Sequence, residues 1–306
     1  MLRSLILAIA GHSAVRRLVT TTAISREVVR RFVAGESTEQ AIAATAALVT
    51  DGLAVTLDYL GEGVTDEAGA ARTVHAYVEL LERLHAEGLA DRAEVSVKLS
   101  AVGQELDEQL ALRNAAQICA AAQRAGTTVT LDAEDHTTTD STLRVLGELR
   151  RTWPSTGAVL QAYLHRTLDD CRALAVTGSR VRLCKGAYAE PPALAYRDPE
   201  QVARSFVRCA NTLLAGPGYP MFATHDPRLV AIVGQRARWH GRPPGSFEYQ
   251  MLYGVRPAEQ RRLAAGGDTV RIYLPYGCDW YSYLSRRLAE RPANVAFFLR
   301  TLVSRG

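Results

Sequence analysis

Eight β-rich runs recur along this chain, each followed by a helical pattern and a glycine or proline stop. They are LAVTLDYL (53–60), EVSVKLS (94–100), TTVTLDAE (127–134), GAVLQAYL (157–164), SRVRLCKG (179–186), YPMFATH (219–225), SFEYQML (246–252) and DTVRIYL (268–274). Helical stretches such as 70–88 and 108–126 lie between them. Eight strands alternating with helices is the number that closes a (β/α)8 barrel. The sequence therefore predicts an α/β fold, with a TIM-type barrel over residues 53–306 and an N-terminal helical arm over 1–52. An open doubly wound sheet that bound a dinucleotide would carry a glycine-rich phosphate turn. The nearest candidate, GEG at 61–63, runs on into Val64, Thr65 and Asp66 and lacks the third glycine. In the arm, Val28, Val29, Phe32 and Val33 follow a helical spacing that Gly35 ends. Ser37-Thr38-Glu39-Gln40 reads as a fresh helix start before an alanine-rich run.

Charge and cysteine content narrow the function. Lys and Arg number 36 against 32 Asp and Glu, a net charge of +4 over 306 residues. That field is too weak for a dedicated nucleic-acid binder, and 47% apolar residues exclude wholesale disorder. The five cysteines (Cys119, Cys171, Cys184, Cys209 and Cys278) are odd in number and none forms a CxxC pair. Neither a disulfide framework nor a cysteine zinc site is indicated, and a reducing, cytoplasmic compartment fits. No stretch approaches the roughly 18 apolar residues that span a bilayer. The opening MLRSLILAIAG has too short an apolar core for a signal peptide and reads as a helix start.

Strand alternation then sorts the charges. With Val95, Val97 and Leu99 facing the outer helices, Lys98 points into the barrel. The same test places Val129, Leu131 and Ala133 outward and Asp132 inward, Val181 and Leu183 outward and Arg182 inward, and Tyr273 and Asp58 inward. Asp58, Lys98, Asp132 and Arg182 thus meet near the C-terminal ends of the strands. Buried unpaired charges cost several kcal/mol or more, so these four must pair with one another, with a ligand or with a wet pocket. They read either as a structural ion network or as a site, and barrel enzymes work at that end. After the eighth strand, Tyr283, Arg286, Arg287 and Glu290 share one helix face. That face suits a carboxylate or phosphate, and equally a solvated surface. Asp132, Glu134, Asp135 and His136 cluster at one strand end and offer a divalent-cation site. Alternation sets Asp135 on the opposite face from Asp132 and Glu134, and no HxH or HxxxH pair supports it.

Several ordered motifs resemble the proline dehydrogenase family: YLGE (59–62), VSVKLS (95–100), TLDAE (130–134), LQAYL (160–164), VRLCKGAY (181–188), FATHD (222–226), FEYQMLYGVR (247–256), RIYLPYG (271–277) and YSYLSRRLAE (281–290). Each is weak alone, and their joint occurrence across residues 54–291 is specific. The resemblance implies a single distorted barrel, non-covalent FAD, and oxidation of L-proline to Δ1-pyrroline-5-carboxylate, the first step of proline catabolism. Electrons would pass to a quinone or similar acceptor. The chain is too short for the bifunctional form, so a separate pyrroline-5-carboxylate dehydrogenase is the expected partner.

The resemblance also assigns roles. Arg286 and Arg287 match the pair that binds the proline carboxylate, and Lys98 matches the lysine that also holds it. Tyr283 and Leu252 match walls of the ring pocket, with Ala187 and Tyr188 beside them. Asp132, Arg182 and Tyr273 match catalytic or supporting positions. Ala133 (through its backbone), Gln161, Arg182, Lys185, Gly186, Ala187, Thr224 and His225 match flavin contacts. Glu62 matches an acid that pairs with the first arginine as a gate. The general base stays open between Asp132 and solvent water. Two positions depart from the family pattern: Cys184 stands for an aliphatic residue and Asp226 for an asparagine. A hydroxylated or N-methylated proline is an alternative substrate within the family. Quinone use would bring the protein to the inner membrane surface, through residues 1–33 with Arg16, Arg17, Arg26, Arg30 and Arg31; the alternative is an ordinary solvated helix.

Overall fold

The branched and aliphatic residues at alternate strand positions form the outer wall of the barrel. The computed structural model describes residues 29–281 and residue 283. Among these, β1 (Ala54–Tyr59), β2 (Ala93–Val97), β3 (Val129–Leu131), β4 (Gly157–Gln161), β5 (Arg180–Cys184), β6 (Tyr219–Ala223), β7 (Glu248–Leu252) and β8 (Val270–Tyr276) pair in chain order. All pairs are parallel, and β8 returns to β1 with Thr56 opposite Tyr273. The expected eight-stranded closed barrel is present. Its wall is uneven, since β3 has three residues and β8 has seven.

The helices are α1 (Thr38–Thr50), α2 (Glu67–Ala86), α3 (Glu108–Ala125), α4 (Thr139–Arg150), α5 (Thr167–Leu174), α6 (Pro199–Ala215), α7 (Pro227–Trp239) and α8 (Pro257–Ala265). Their starts are written locally. Ser37 caps α1 in a reciprocal capping box with Gln40, as the sequence suggests. Asp66, Asp107, Asp198 and Asp226 accept the first free N–H groups of α2, α3, α6 and α7. Proline opens α6, α7 and α8, where its missing N–H costs nothing.

Outward strand residues such as Val55, Leu57, Val95, Val97, Leu131, Leu183, Ile272 and Leu274 are at most 1% exposed. One apolar cluster joins β1–β3 to α1–α4, and a second joins β5–β8 to α6–α8. The inner face is polar instead: Thr56, Asp58, Glu94, Ser96, Thr130, Arg182, Glu248 and Gln250 are each at most 3% exposed. Such an interior persists only if nearly every group is paired.

The strands end earlier than alternation predicts. β2 stops at Val97 and β3 at Leu131, and the Asp132 N–H then reaches back to the Val97 carbonyl at 2.9 Å. Alternation still holds for Lys98 and Asp132, one residue past those ends, and fails at the next residue of the third segment. Ala133, expected to face the outer helices, instead lines the interior cavity. β8 runs two residues past its expected end, to Tyr276, with Pro275 inside it. The chain before α1 docks there: Ala34 N–H meets the Pro275 carbonyl at 2.9 Å, and Gly277 N–H meets Gly35 at 2.9 Å.

Candidate active site

A cavity of about 410 Å³ opens at the C-terminal end of the barrel. Asp58, Lys98, Asp132, Arg182 and Tyr273 form its floor, and their alternation on the strands brings them together as expected. Lys98 Nζ donates to both Asp58 oxygens at 2.6 Å and lies 3.4 Å from the Tyr273 hydroxyl. Tyr273 donates to Asp132 Oδ2 at 2.7 Å. Asp132 Oδ1 accepts from Ser96 Oγ at 2.8 Å and from Arg182 Nη1 at 2.7 Å. Arg182 donates to Gln250 through Nε and stacks 5.4 Å from the Tyr273 ring centroid.

These contacts set the protonation states. Burial alone would drive Lys98 neutral, but Asp58, Asp132 and Glu62 outweigh it and hold the ammonium above the ordinary lysine range. Burial, then the Asp132 charge, pushes the Tyr273 phenol well up, so it stays a proton donor. Burial raises the Asp58 carboxyl against the pull of Lys98. By formal charge the two acids and two bases of the floor cancel. An anionic substrate needs further positive charge. The residues expected to supply it, Arg286 and Arg287, lie outside the described residues. Glu62, the expected gate acid, stands 3.9 Å from Lys98 and is partly exposed.

The cavity walls gather the other expected residues. Tyr283, Leu252, Ala187 and Tyr188 line one part. Ala133, Gln161, Lys185, Gly186, Thr224 and His225 line another, from the ends of β3, β4, β5 and β6. Gln161 Nε2 donates to the Glu134 carbonyl at 2.8 Å, and His225 Nε2 accepts the Leu252 N–H at 2.9 Å. Both residues that depart from the family pattern are here. Cys184 lines the cavity, and Asp226 receives Lys185 Nζ at 2.9 Å. Burial raises the Asp226 carboxyl, but Lys185 and the Arg228 N–H overcome this and hold it below the usual range.

The proposed cation cluster disperses. Glu134 accepts from Ser100 Oγ at 2.6 Å, Asp135 accepts the Thr137 N–H at 2.9 Å, and His136 pairs with Glu190. Among the described residues, no three His, Cys, Asp or Glu side chains gather as metal ligands would. Sequence reasoning passed over Ser96, Gln250 and Thr56, which brace Arg182 and Asp132. Their inward parity with Lys98, Leu252 and Asp58 was the available signal.

A family model described as "Proline dehydrogenase" matches residues 41–300. This chain belongs to the proline dehydrogenase family. It is 43% identical over 280 residues to the proline dehydrogenase of Deinococcus radiodurans, covering 89% of each chain. It is 37% identical over 276 residues to proline dehydrogenase 1 of Bacillus subtilis, covering 90% of this chain and 91% of the relative. Among solved structures, Bdellovibrio bacteriovorus proline utilization A, inactivated by N-propargylglycine, superposes with a TM-score of 0.81 at 23% identity over 92% of this chain. The Bradyrhizobium japonicum protein, as the D778Y mutant, gives 0.73 at 26% identity over 90% of this chain. This chain spans about a third of those two chains, 34% and 32%. As a member of the proline dehydrogenase family, it is an oxidoreductase built on a TIM-type barrel.

The donor set fits a flavin. Planar heteroaromatic rings with polar edges sit in largely apolar clefts that carry a few placed polar groups. Here Val159, Ala187, Met251 and Leu252 offer apolar surface, while Gln161, Lys185, Thr224 and Arg182 set polar groups in the same wall. Lys185 supplies a cation at the cavity wall, where a phosphate or an electron-rich ring edge would be favoured.

Proposed function

We propose that this chain oxidises L-proline to Δ1-pyrroline-5-carboxylate with FAD as its cofactor, opening proline catabolism. The observation that carries the reading is the neutral, fully paired floor of Asp58, Lys98, Asp132, Arg182 and Tyr273 beneath a cavity of about 410 Å³ in a chain of this family. When bound, FAD would supply the two-electron acceptor for the hydride lost from the substrate carbon, the amine proton leaving separately. The residues supply orientation and charge. Lys98, fixed by Asp58, presents one cation to the substrate carboxylate, and Arg286 and Arg287 supply the excess positive charge that the floor lacks. Tyr283, Tyr188 and Leu252 hold the pyrrolidine ring between them. Holding two reactants in one geometry lowers the barrier by several kcal/mol. Tyr273, kept protonated, and Arg182 stabilise negative charge that builds at the cavity floor. Asp132 is the acid nearest to both and orients them.

Downstream, electrons pass to a quinone or similar acceptor, and a separate dehydrogenase consumes the product. No helix among the described residues is long and apolar enough to cross a membrane. We propose a cytoplasmic location, with contact of basic residues 1–33 at the inner membrane surface as the alternative to an ordinary solvated helix. The decisive experiment is an absorbance spectrum. The purified chain, reconstituted with FAD, shows a flavin spectrum that bleaches when L-proline is added without oxygen. A chain that takes up no FAD, or whose flavin stays oxidised under proline, overturns the reading.

A further inference from the structure

The wall formed by residues 185–188 hangs beyond the end of β5, where strand pairing no longer fixes it. Something else must. Beneath Gly186 lies the Tyr163 ring, so close that a Cβ on this glycine would sit 2.2 Å from it. Gly186 also has φ +106, a conformation that favours glycine. Tyr163 N–H meets the Lys185 carbonyl at 2.9 Å. The Tyr163 hydroxyl donates to Glu190 Oε1 at 2.9 Å.

Glu190 is 6% exposed and belongs to none of the floor contacts. Its carboxylate takes three donors: Tyr163 Oη, the His136 backbone N–H at 3.1 Å, and His136 Nδ1. Tyr163 follows β4, Glu190 follows β5 and His136 follows β3. One buried carboxylate therefore ties together three loops: the one that carries Asp132 and Ala133, the one that follows Gln161, and the one that carries residues 185–188. Burial and the Glu190 carboxylate push the Tyr163 phenol up, so it remains the donor.

We propose that Glu190 is a positioning residue for this enzyme: through Tyr163 and His136 it sets the height of the 185–188 wall over the cavity, and so the grip on both cofactor and substrate. The proposal rests on the function given above, and the first arm of its test separates the two. If wild-type protein fails to bind FAD or to be bleached by proline, the function fails and Glu190 is not at issue. With wild type active, Glu190→Gln leaves one acceptor in place of two. FAD affinity then falls about tenfold and proline KM rises by a similar factor, as expected for loss of a charge-assisted hydrogen bond. Glu190→Gln protein that melts like wild type, with FAD affinity and KM within twofold, overturns the proposal. Should Glu190→Gln fail to fold, the neighbouring variants decide. Tyr163→Phe keeps the ring under Gly186 and removes only the hydroxyl, and it weakens FAD binding and shifts the bound-flavin spectrum. His136→Ala weakens FAD binding, whereas His136→Asn, which keeps a side-chain N–H, restores it to within about threefold. Wild-type FAD affinity and spectrum in both Tyr163→Phe and His136→Ala would sink the idea.

Discussion

The barrel holds two layers of buried charge, and they do different work. The upper layer, Asp58, Lys98, Asp132 and Arg182, opens onto the cavity. The lower layer sits toward the N-terminal ends of the strands and opens onto nothing comparable among the described residues. There Arg271 forks onto Glu248 at 2.7 and 3.1 Å and sends its third donor to the Val55 carbonyl at 2.9 Å. Arg180 pairs with Glu94, and Tyr219 donates to Glu248 at 3.1 Å. Gln250 joins the layers, accepting from Arg182 and donating to Glu248 at 2.6 Å. In the lower layer each charge meets fixed protein partners, so its role is to close the barrel. In the upper layer the same pairing leaves a neutral floor facing open space. Burial and pairing alone do not mark an active site; access to a cavity does.

The largest effect that separates the layers is on stability. Glu248→Leu takes the forked partner from Arg271, whose side chain is 11% exposed, and leaves Glu94 at 3.8 Å as its remaining acid; it costs about 3 kcal/mol, read from denaturant unfolding. Adding Arg271→Met removes the stranded charge and recovers most of that loss, because an apolar pair of similar volume is often tolerated. If Glu248→Leu were nearly neutral, the lower layer would not be the closing element assigned here. The upper layer answers in activity. Asp132→Asn keeps an acceptor for Arg182 beside a cavity that admits water, so its stability loss stays below about 2 kcal/mol. Its proline-dependent dye reduction falls about a hundredfold, equivalent to roughly 2.7 kcal/mol of barrier. A variant that loses stability as Glu248→Leu does while keeping its rate would erase the distinction.

Much of this was written in the chain. Alternation alone set Lys98, Asp132, Arg182 and Tyr273 into one cavity from four strands. It failed at Ala133 because the pleat ends at Leu131 and the backbone turns toward the mouth. The lower layer was equally legible by parity, since Glu94 shares a face with Lys98 and Arg180 shares one with Arg182. It carries no motif, so parity is its one signal. The Glu190 tie had no such signal. Its partners, Tyr163 and His136, come from two other loops 27 and 54 residues away, and no period links them. Periodicity reports on regular strands and helices; the loops that finish the site are fixed by side-chain hydrogen bonds, which leave no spacing rule.

The smallest expected effect concerns acid. Burial raises Glu248, but Arg271, Arg180 and Gln250 outweigh it and hold its carboxyl below the ordinary range. Arg271 is correspondingly held above its own, so the two ends of the pair agree. A carboxyl with a depressed folded pKa adds stability that is present above its unfolded value, about 4.3 for glutamate, and is lost as pH falls through the folded value. The lower layer therefore weakens on acidification below about pH 4.3. Glu248→Gln cannot bind that proton, so its stability falls less steeply there, by up to about 1.4 kcal/mol per pH unit. Denaturant midpoints of both proteins, measured from neutral pH down to about pH 3, give the comparison. Parallel curves would mean that Glu248 binds its proton as readily in the folded barrel as in the open chain, and the fork with Arg271 would then contribute nothing to closure.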